Sequence, residues 1–332
     1  MTGLSATSAR RRLILLSGTR WFPVGLVFGL TTLLPLERGL TLSQVSVILA
    51  VQGLVVVALE LPTGGLADAV GRRPLLFMAA LVAVLSGGLF LLATDLATFA
   101  LAMMLQGLFR ALDSGPLEAW YVDTAQADDR GARVEHALSQ AGAMVGVAIA
   151  GGALCSGLLV AWHPVDAASA LVLPFALSTG LFGVHALLVL ALVREPPPPA
   201  NGSGRRSALA AARRTPGVVR DGLVAVRRIP VLRGLVLVEV FWSVAMIAFE
   251  TLNPVRLAEL VGSEERAGEL YGPASAAAWA LYAAGSAAAG WASRRLGVAW
   301  TAVLARVLNG GFVIAMGLVA GPVGLVAAYW LA

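Results

Sequence analysis

Long apolar runs divide this 332-residue chain and constrain its fold more than any other feature. A full run holds roughly 20 residues, which is the helical length that crosses the ~30 Å hydrocarbon core of a bilayer. The runs are rich in leucine and alanine and lack strict alternation, so they predict helices rather than strands. The sequence therefore predicts an all-α polytopic membrane protein. The predicted spans are 13–36, 42–61, 75–93, 96–122, 137–162, 170–193, 231–252, 270–291, 299–320 and a tenth that begins near 323 and is cut off at 332.

The composition agrees with a chain that faces lipid. Hydrophobic residues make up 58% of the chain, charged residues only 13%, and the mean hydropathy is +0.82. A soluble domain carries about a quarter of its residues as charges. The single cysteine, Cys155, lies inside an apolar run, so neither a disulfide nor a thiolate metal site within the chain is expected.

The sequence has no paired histidine motif, phosphate-binding loop or nucleophile elbow. We therefore expect no cofactor, no metal site and no enzymatic activity. The net charge of +5 does not indicate a nucleic-acid partner, because the arginines lie in short segments between apolar runs.

The positions of the arginines predict the orientation. All 24 basic residues are arginines. If the N-terminus lies in the cytoplasm, about 18 of them fall on the cytoplasmic side or its boundary and about 3 fall outside, as the positive-inside rule requires. The sequence thus predicts a multi-pass protein of the cytoplasmic (inner) membrane. The three outer arginines are Arg38, Arg256 and Arg266.

The longest break in the apolar pattern covers residues 194–230. It opens with four consecutive prolines, Pro196 to Pro199, which cannot continue a helix. Beyond them, apolar residues alternate with arginines, which fits either a basic amphipathic segment on the anionic leaflet or a solvated linker. The predicted organisation is a six-helix bundle at 1–193, a cytoplasmic linker at 194–230 and a partial second bundle at 231–332.

A glycine- and charge-rich motif occupies the predicted loop between the second and third spans. It runs from Gly64 to Arg73 with the sequence GGLADAVGRR. It resembles the G-x-x-x-D-(R/K)-x-G-R-(R/K) motif that the major facilitator superfamily carries in the same loop, with Ala69 in place of the usual basic residue. A degenerate second copy at 290–297, with Arg294 in place of the aspartate, is what a duplicated six-helix unit predicts.

This resemblance implies two six-helix bundles around a central cavity, with alternating access by rocking of the bundles. The second bundle is truncated in helix 10, and we expect a natural chain to continue for roughly two and a half further helices. The family's first, fourth, seventh and tenth helices commonly line the cavity. The resemblance places on such helices Arg20, Arg110, Asp113, Glu118 and Glu239.

The motif also predicts a charge cluster on the cytoplasmic face. The family often places an acid at the end of its fourth helix that pairs with the loop arginines, and Asp123 holds that position. We expect a cytoplasmic gating motif rather than a substrate site. Its residues are Gly64, Asp68, Gly71, Arg72, Arg73 and Asp123.

The fourth span carries the most charge. Arg110 and Asp113 are three residues apart and share a helical face, so they form either a permanent ion pair or a proton-sensitive switch. Glu118 lies further toward the cytoplasm and could pass protons on. Gly115-Pro116 should loosen the helix here. Where the family often has an arginine, before Gln106, this chain has Met103.

Other intramembrane charges, Arg20, Glu60 and Glu239, are cavity or coupling candidates by default. The alternative is an internal ion pair such as Arg20–Glu60, which would hold helices and bind nothing. In the fifth span, Gly142, Gly146 and the pair at 151–152 suit either the family's antiporter motif, whose proline is replaced by Val147, or close helix packing.

The expected function is secondary transport of a small solute, coupled to protons and directed outward, by a monomer whose partners are the solute, protons and membrane lipid. The alternative from another class is a membrane scaffold or sensor that kept the fold without transporting. Drugs, sugars, peptides and metabolites share this fold, so the fold alone does not define the substrate.

Overall fold

The computed structural model describes residues 4–129, 134–165, 167–195, 217, 220 and 222–332, and no β-strand occurs among them. Helices dominate because a backbone in lipid must satisfy its own hydrogen bonds. In chain order they are α1 (Ala6–Leu26), α2 (Leu30–Glu37), α3 (Leu42–Val70), α4 (Arg72–Leu92), α5 (Leu96–Leu112), α6 (Pro116–Asp128), α7 (Glu135–Trp162), α8 (Val172–Leu192), α9 (Pro230–Ile247), a π-helical turn (Ala248–Leu252), α10 (Asn253–Val261), α11 (Glu264–Leu296), α12 (Val298–Leu318) and α13 (Pro322–Leu331).

Each predicted span corresponds to one helix or to two consecutive helices. The first span is interrupted between α1 and α2, where Gly29 adopts φ +82°. The fourth is interrupted between α5 and α6, where Gly115 adopts φ +89° and Pro116 begins the next helix. The predicted weak point at Gly115-Pro116 is therefore confirmed. The seventh contains the π-helical turn, a rare form that is frequent at functional sites.

The turn between the second and third spans is much shorter than the sequence predicted. The backbone of α3 stays helical through the glycine-rich motif to Val70, and α4 begins at Arg72. Gly71 alone makes the turn, with φ +96°, a conformation that L-residues with side chains rarely adopt. The motif was predicted to lie in the loop between the two spans, but most of its backbone continues α3 and only Gly71 makes the turn.

Seven of the described helical segments are long and apolar enough to cross a membrane. Six of them are the first six spans and the seventh is α12. The described parts of α9 and α11 do not meet both criteria of length and apolarity.

The chain divides into two compact units, each assembled from segments distant in sequence. The first comprises residues 1–23, 38–145 and 175–230, and the second comprises 24–37, 146–174 and 231–332. The bundle boundaries that the sequence suggested at 193 and 230 stay a prediction. Most of the predicted linker lies outside the described residues.

The first unit is packed around the N-terminal half of α1. Leu13 and Leu16 of α1 are fully buried in one cluster with Trp120 of α6 and Val189 of α8. The indole Nε1 of Trp120 donates a hydrogen bond to the backbone carbonyl of Arg194 at 3.0 Å, so this large buried side chain has a polar partner.

The second unit holds its helices together through glycines and aromatic rings. A Cβ on Gly272 of α11 would lie only 2.6 Å from the backbone nitrogen of Gly157 and 2.4 Å from the carbonyl oxygen of Ala153, both on α7. Pro273 contacts Gly157 in the same place. The ring of Tyr271 stacks on Phe28, with centroids 6.4 Å apart. Such small residues allow two backbones to approach closely, as membrane helices often do.

Candidate functional site

A buried ion pair lies inside the first unit. Arg20 of α1 pairs through Nε with the carboxylate of Asp113, the residue that caps the C-terminus of α5. The side chain of Asp113 is only 3% exposed and that of Arg20 only 14%. Charges so far from water persist in a protein interior only when they are paired.

The surroundings of the pair include aromatic rings and further charged side chains. The guanidinium carbon of Arg20 lies 4.2 Å from the ring centroid of Trp21 and 5.7 Å from that of Phe109, which are cation–π distances. Arg110 and Glu118 lie close enough to act on Arg20 electrostatically. Besides Asp113, one further negative side chain (Glu118) and one further positive side chain (Arg110) therefore act on Arg20.

Helix α1 is also tied to α8 beside the pair. The hydroxyl of Thr19 and Nδ1 of His185 form a 2.9 Å hydrogen bond, and His185 is buried. Because Thr19 directly precedes Arg20, this bond fixes the position of α1 beside Arg20. It thereby restricts how the Arg20 side chain approaches Asp113.

The pairing differs from both pairs that the sequence suggested. Asp113 binds Arg20 and not Arg110, whose side chain is exposed. Glu60 does not pair with Arg20 either; it is exposed and accepts a hydrogen bond from Ser114 at 3.3 Å. The physical reason is burial, since the desolvated carboxylate of Asp113 requires a cation inside the same core, and α1 supplies one.

The remaining cavity candidates are spread over both units. Glu118 of α6 is exposed within the first unit. In the second unit, Glu239 of α9 accepts a hydrogen bond from Arg306 of α12 at 3.1 Å, and Arg306 also lies 4.7 Å from the ring centroid of Trp242. Both partners are substantially exposed, so the described structure gives Glu239 an ion-pair partner at a surface.

A second charge system lies at the turn between α3 and α4. Arg72 pairs with Asp123 of α6 and also donates to the backbone carbonyl of Ala119 at 2.9 Å. Arg73 donates to the carbonyl of Leu190 at 2.6 Å, at the end of α8. The structure thus brings Arg72 and Asp123 together. The surroundings of motif positions 64 and 68 lie outside what the structure describes.

Glu195 belongs to this system, and the sequence interpretation did not include it. Its carboxylate accepts hydrogen bonds at 2.9 Å from the backbone N–H groups of both Arg72 and Arg73. It therefore caps the N-terminus of α4, where orphan donors and the helix dipole favour an anion. A Cβ on Gly71 would lie 3.0 Å from Glu195, so the turn glycine also makes room for this cap. The one available signal was an acid at the end of the sixth span.

Among the described residues, no three histidine, cysteine or acidic side chains are grouped as a metal site would require. The charged groups that the structure does assemble are ion pairs and a helix cap.

Comparison with known proteins supplies the context for this arrangement. A sequence model of the Major Facilitator Superfamily matches residues 13–332. No curated protein matches the chain. The crystal structure of the nucleoside transporter NupG superposes with a TM-score of 0.72 at 11% sequence identity, covering 97% of this chain and 78% of that one.

An aspartate-to-alanine mutant of NupG gives a TM-score of 0.68 at 12% identity, with the same coverage. Identities this low establish the fold and not the substrate. The family match and these structural neighbours indicate a multi-pass membrane transporter and not an enzyme. Because the family model matches residues 13–332, this chain belongs to the Major Facilitator Superfamily.

Proposed function

We propose that this protein exports a small solute by alternating access and that the Arg20–Asp113 pair couples export to the entry of protons. The observation that carries the proposal is the burial of this ion pair beside an interrupted helix. A carboxylate with 3% exposure is held there only by its counter-ion. Any event that changes the charge of Asp113 therefore changes the stability of the ion pair with Arg20.

Protonation of Asp113 is such an event. It removes the negative charge and leaves the Arg20 guanidinium without its counter-ion, though still beside Glu118. Arg20 must then rearrange, or attract an anionic group, because an uncompensated charge in a low-dielectric interior is costly. One proton thereby shifts the population between two arrangements of α1 and α5.

The break between α5 and α6 gives this shift a place to act. Asp113 is the C-cap of α5, and the left-handed Gly115 follows two residues later. No continuous helix has to bend here, because the helical hydrogen bonds are already interrupted. We propose that a small rotation at 113–115 moves α6, with Glu118, relative to α5.

The Arg72–Asp123 pair is proposed as a latch on the cytoplasmic face. Asp123 lies ten residues beyond Asp113 on the same interrupted span. A movement of α6 would therefore reach the exposed pair, which is easily broken and re-formed in water. In this proposal the Arg72–Asp123 pair does not bind the substrate.

The proposal includes a cytoplasmic membrane location with the N-terminus in the cytoplasm. The supporting feature is the excess of arginines in segments on that side. We further propose a monomer with bundles at 1–193 and 231–332. Reporter fusions at the two ends of the chain, assayed for the side of the membrane on which they lie, would test the orientation.

Transport in proteoliposomes tests the coupling. A transported solute is first selected from nucleosides, sugars, amino acids and organic cations by its thermal stabilisation of the purified protein. With an imposed pH gradient, wild type should accumulate it against its concentration gradient. Asp113→Asn should abolish that accumulation and retain downhill exchange, while Glu259→Gln, an exposed pair partner, should behave as wild type.

Unchanged gradient-driven transport by Asp113→Asn would refute Asp113 as the coupling site. If wild type binds a solute but moves none, with or without a gradient, the scaffold or sensor alternative is favoured instead.

A further inference from the structure

A groove on the first unit is lined almost entirely by apolar side chains from three helices. Its volume is about 250 Å³. Leu15, Gly18 and Phe22 of α1 form one wall, Met144 of α7 another, and Leu181 and Val184 of α8 the third. Leu15 and Val184 are about half exposed although apolar, so the groove opens on the surface of the unit.

The length of the groove along α1 matches the thickness of the hydrocarbon layer of one leaflet. On α1 it extends from Ile14 to Pro23, which corresponds to roughly 14 Å of helix at 1.5 Å per residue. The hydrocarbon core is ~30 Å thick, so this is about half of it. The groove thus has the length that the acyl chains of one leaflet occupy.

A basic residue stands at the N-terminal end of the groove. Arg11 lies one turn before Leu15, and residues 11, 15, 18 and 22 repeat at the spacing of one helical face. Arg11 is exposed, and among the described residues it has no hydrogen-bond or ion-pair partner. This cation is therefore available at the level where a phospholipid head group would lie.

Neighbouring polar groups complete that end of the groove. Gln140 of α7 lies one turn before Met144, accepts a 2.7 Å hydrogen bond from Nε of Arg10, and lies 3.2 Å from the ring of His136. Further cations are held nearby, since Arg12 donates to the carbonyl of Leu192 at the end of α8. Arg10 and Arg12 thus place two further cations of α1 near this end of the groove.

From this juxtaposition we propose a binding site for an anionic phospholipid, with its phosphate at Arg11 and Gln140 and one acyl chain in the groove. The site is separate from the Arg20–Asp113 pair, which lies on another face of α1 and is buried. Charge complementarity selects an anionic over a zwitterionic head group. The apolar lining accepts the chain without a polar partner.

Native mass spectrometry of the purified full chain tests the site. The protein is exposed to phosphatidylglycerol or phosphatidylcholine with identical acyl chains, and retention of each lipid is measured. Wild type should retain phosphatidylglycerol about fivefold better. Arg11→Gln should bring the ratio close to one, while Arg294→Gln, an exposed arginine of α11 outside the groove lining, should leave it unchanged.

The groove is tested separately by filling it. Val184→Trp should reduce retention of both lipids, whereas Leu187→Trp, at a 67% exposed position outside the lining, should not. Gly18→Leu fills the groove from α1, where the new Cβ meets only the flexible Met144 side chain at 3.3 Å. Circular dichroism on heating verifies that each variant is folded.

The proposal is overturned if Arg11→Gln leaves the lipid ratio within about twofold of wild type, or if both folded groove variants retain lipid normally. Displacement of the lipid by millimolar glycerol phosphate would assign the Arg11 end to a soluble anion and also overturn it.

Discussion

The two ion pairs of the first unit differ in the water around their carboxylates. Asp113 is 3% exposed and Asp123 is 63% exposed, although their arginine partners are similarly covered, at 14% and 18%. Loss of one partner from a buried pair leaves an uncompensated charge, whereas an exposed charge is simply hydrated. Burial, more than the presence of a pair, therefore separates a contact that controls the fold from one that opens readily.

The buried pair should show the largest effect. Asp113→Leu or Arg20→Met alone should lower the free energy of unfolding by about 3–5 kcal/mol, because each leaves a lone charge in the core. The double variant Arg20→Met/Asp113→Leu should recover most of that loss. Unfolding of the purified protein in mixed micelles gives the three values.

If the double variant is as unstable as the sum of the single variants, the two side chains are not energetically coupled. Burial of the Arg20–Asp113 pair would then not explain its effect on stability, and the comparison between buried and exposed pairs would be wrong.

Glu195 should show an intermediate effect. Glu195→Gln keeps the shape but removes the charge that accepts from the N–H groups of Arg72 and Arg73. We expect a loss of about 1–2 kcal/mol, the upper range for an anion at a helix N-terminus in a partly buried setting. Arg194→Gln, whose side chain is exposed, is the matched control. If Glu195→Gln lowers the free energy of unfolding less than Arg194→Gln does, Glu195 does not stabilise this charge system.

The exposed pair should show a smaller effect on stability. Asp123→Asn should cost about 0.2–1 kcal/mol, since Arg72 keeps its bond to the Ala119 carbonyl. In 1 M salt, where the Debye length is about 3 Å, the difference should largely disappear. Stability curves at low and high salt decide this. A large, salt-independent loss would show that Asp123 is structural in the same sense as Asp113.

Asp95 should show the smallest effect and marks the lower limit of the comparison. This exposed carboxylate caps α5, and the backbone N–H of Thr98, helped by the Thr98 hydroxyl, lowers its pKa below the ordinary value of 3.8. A lowered folded pKa means that the stabilisation is present above pH 3.8 and is lost as the pH falls through the lowered value.

In melting curves taken from pH 5 downward, wild type should therefore lose slightly more stability than Asp95→Ser, which caps the helix without titrating in this range. Parallel curves for the two proteins would contradict the assignment.

The sequence predicted the spans well because span length depends only on the thickness of the apolar layer. It also located the break at Gly115-Pro116, where two residues disfavour a helix. It did not reveal the break at Gly29 or the π-helical turn at 248–252. Those depend on neighbouring helices, such as the Tyr271 ring that lies against Gly29.

The sequence named Arg20 and Asp113 as separate candidates but did not predict that they pair. Spacing within one helix identifies which charges share a face, so Arg110 and Asp113 were the natural pair. The actual partner, Arg20, lies on a different span, and sequence spacing carries no information about that contact. Glu195 escaped for the same reason, since its partners are backbone groups about 120 residues earlier in the chain.

The contact between α7 and α11 in the second unit has a consequence for the entropy of the molecule. Its tightest part consists of Ala153, Gly157, Gly272 and Pro273, whose side chains lose essentially no rotamer freedom when they are packed. A leucine or methionine contact of similar area would lose conformational entropy each time it formed. Forming or breaking this part of the contact would therefore freeze or release few side-chain rotamers, so its strength depends mainly on backbone packing.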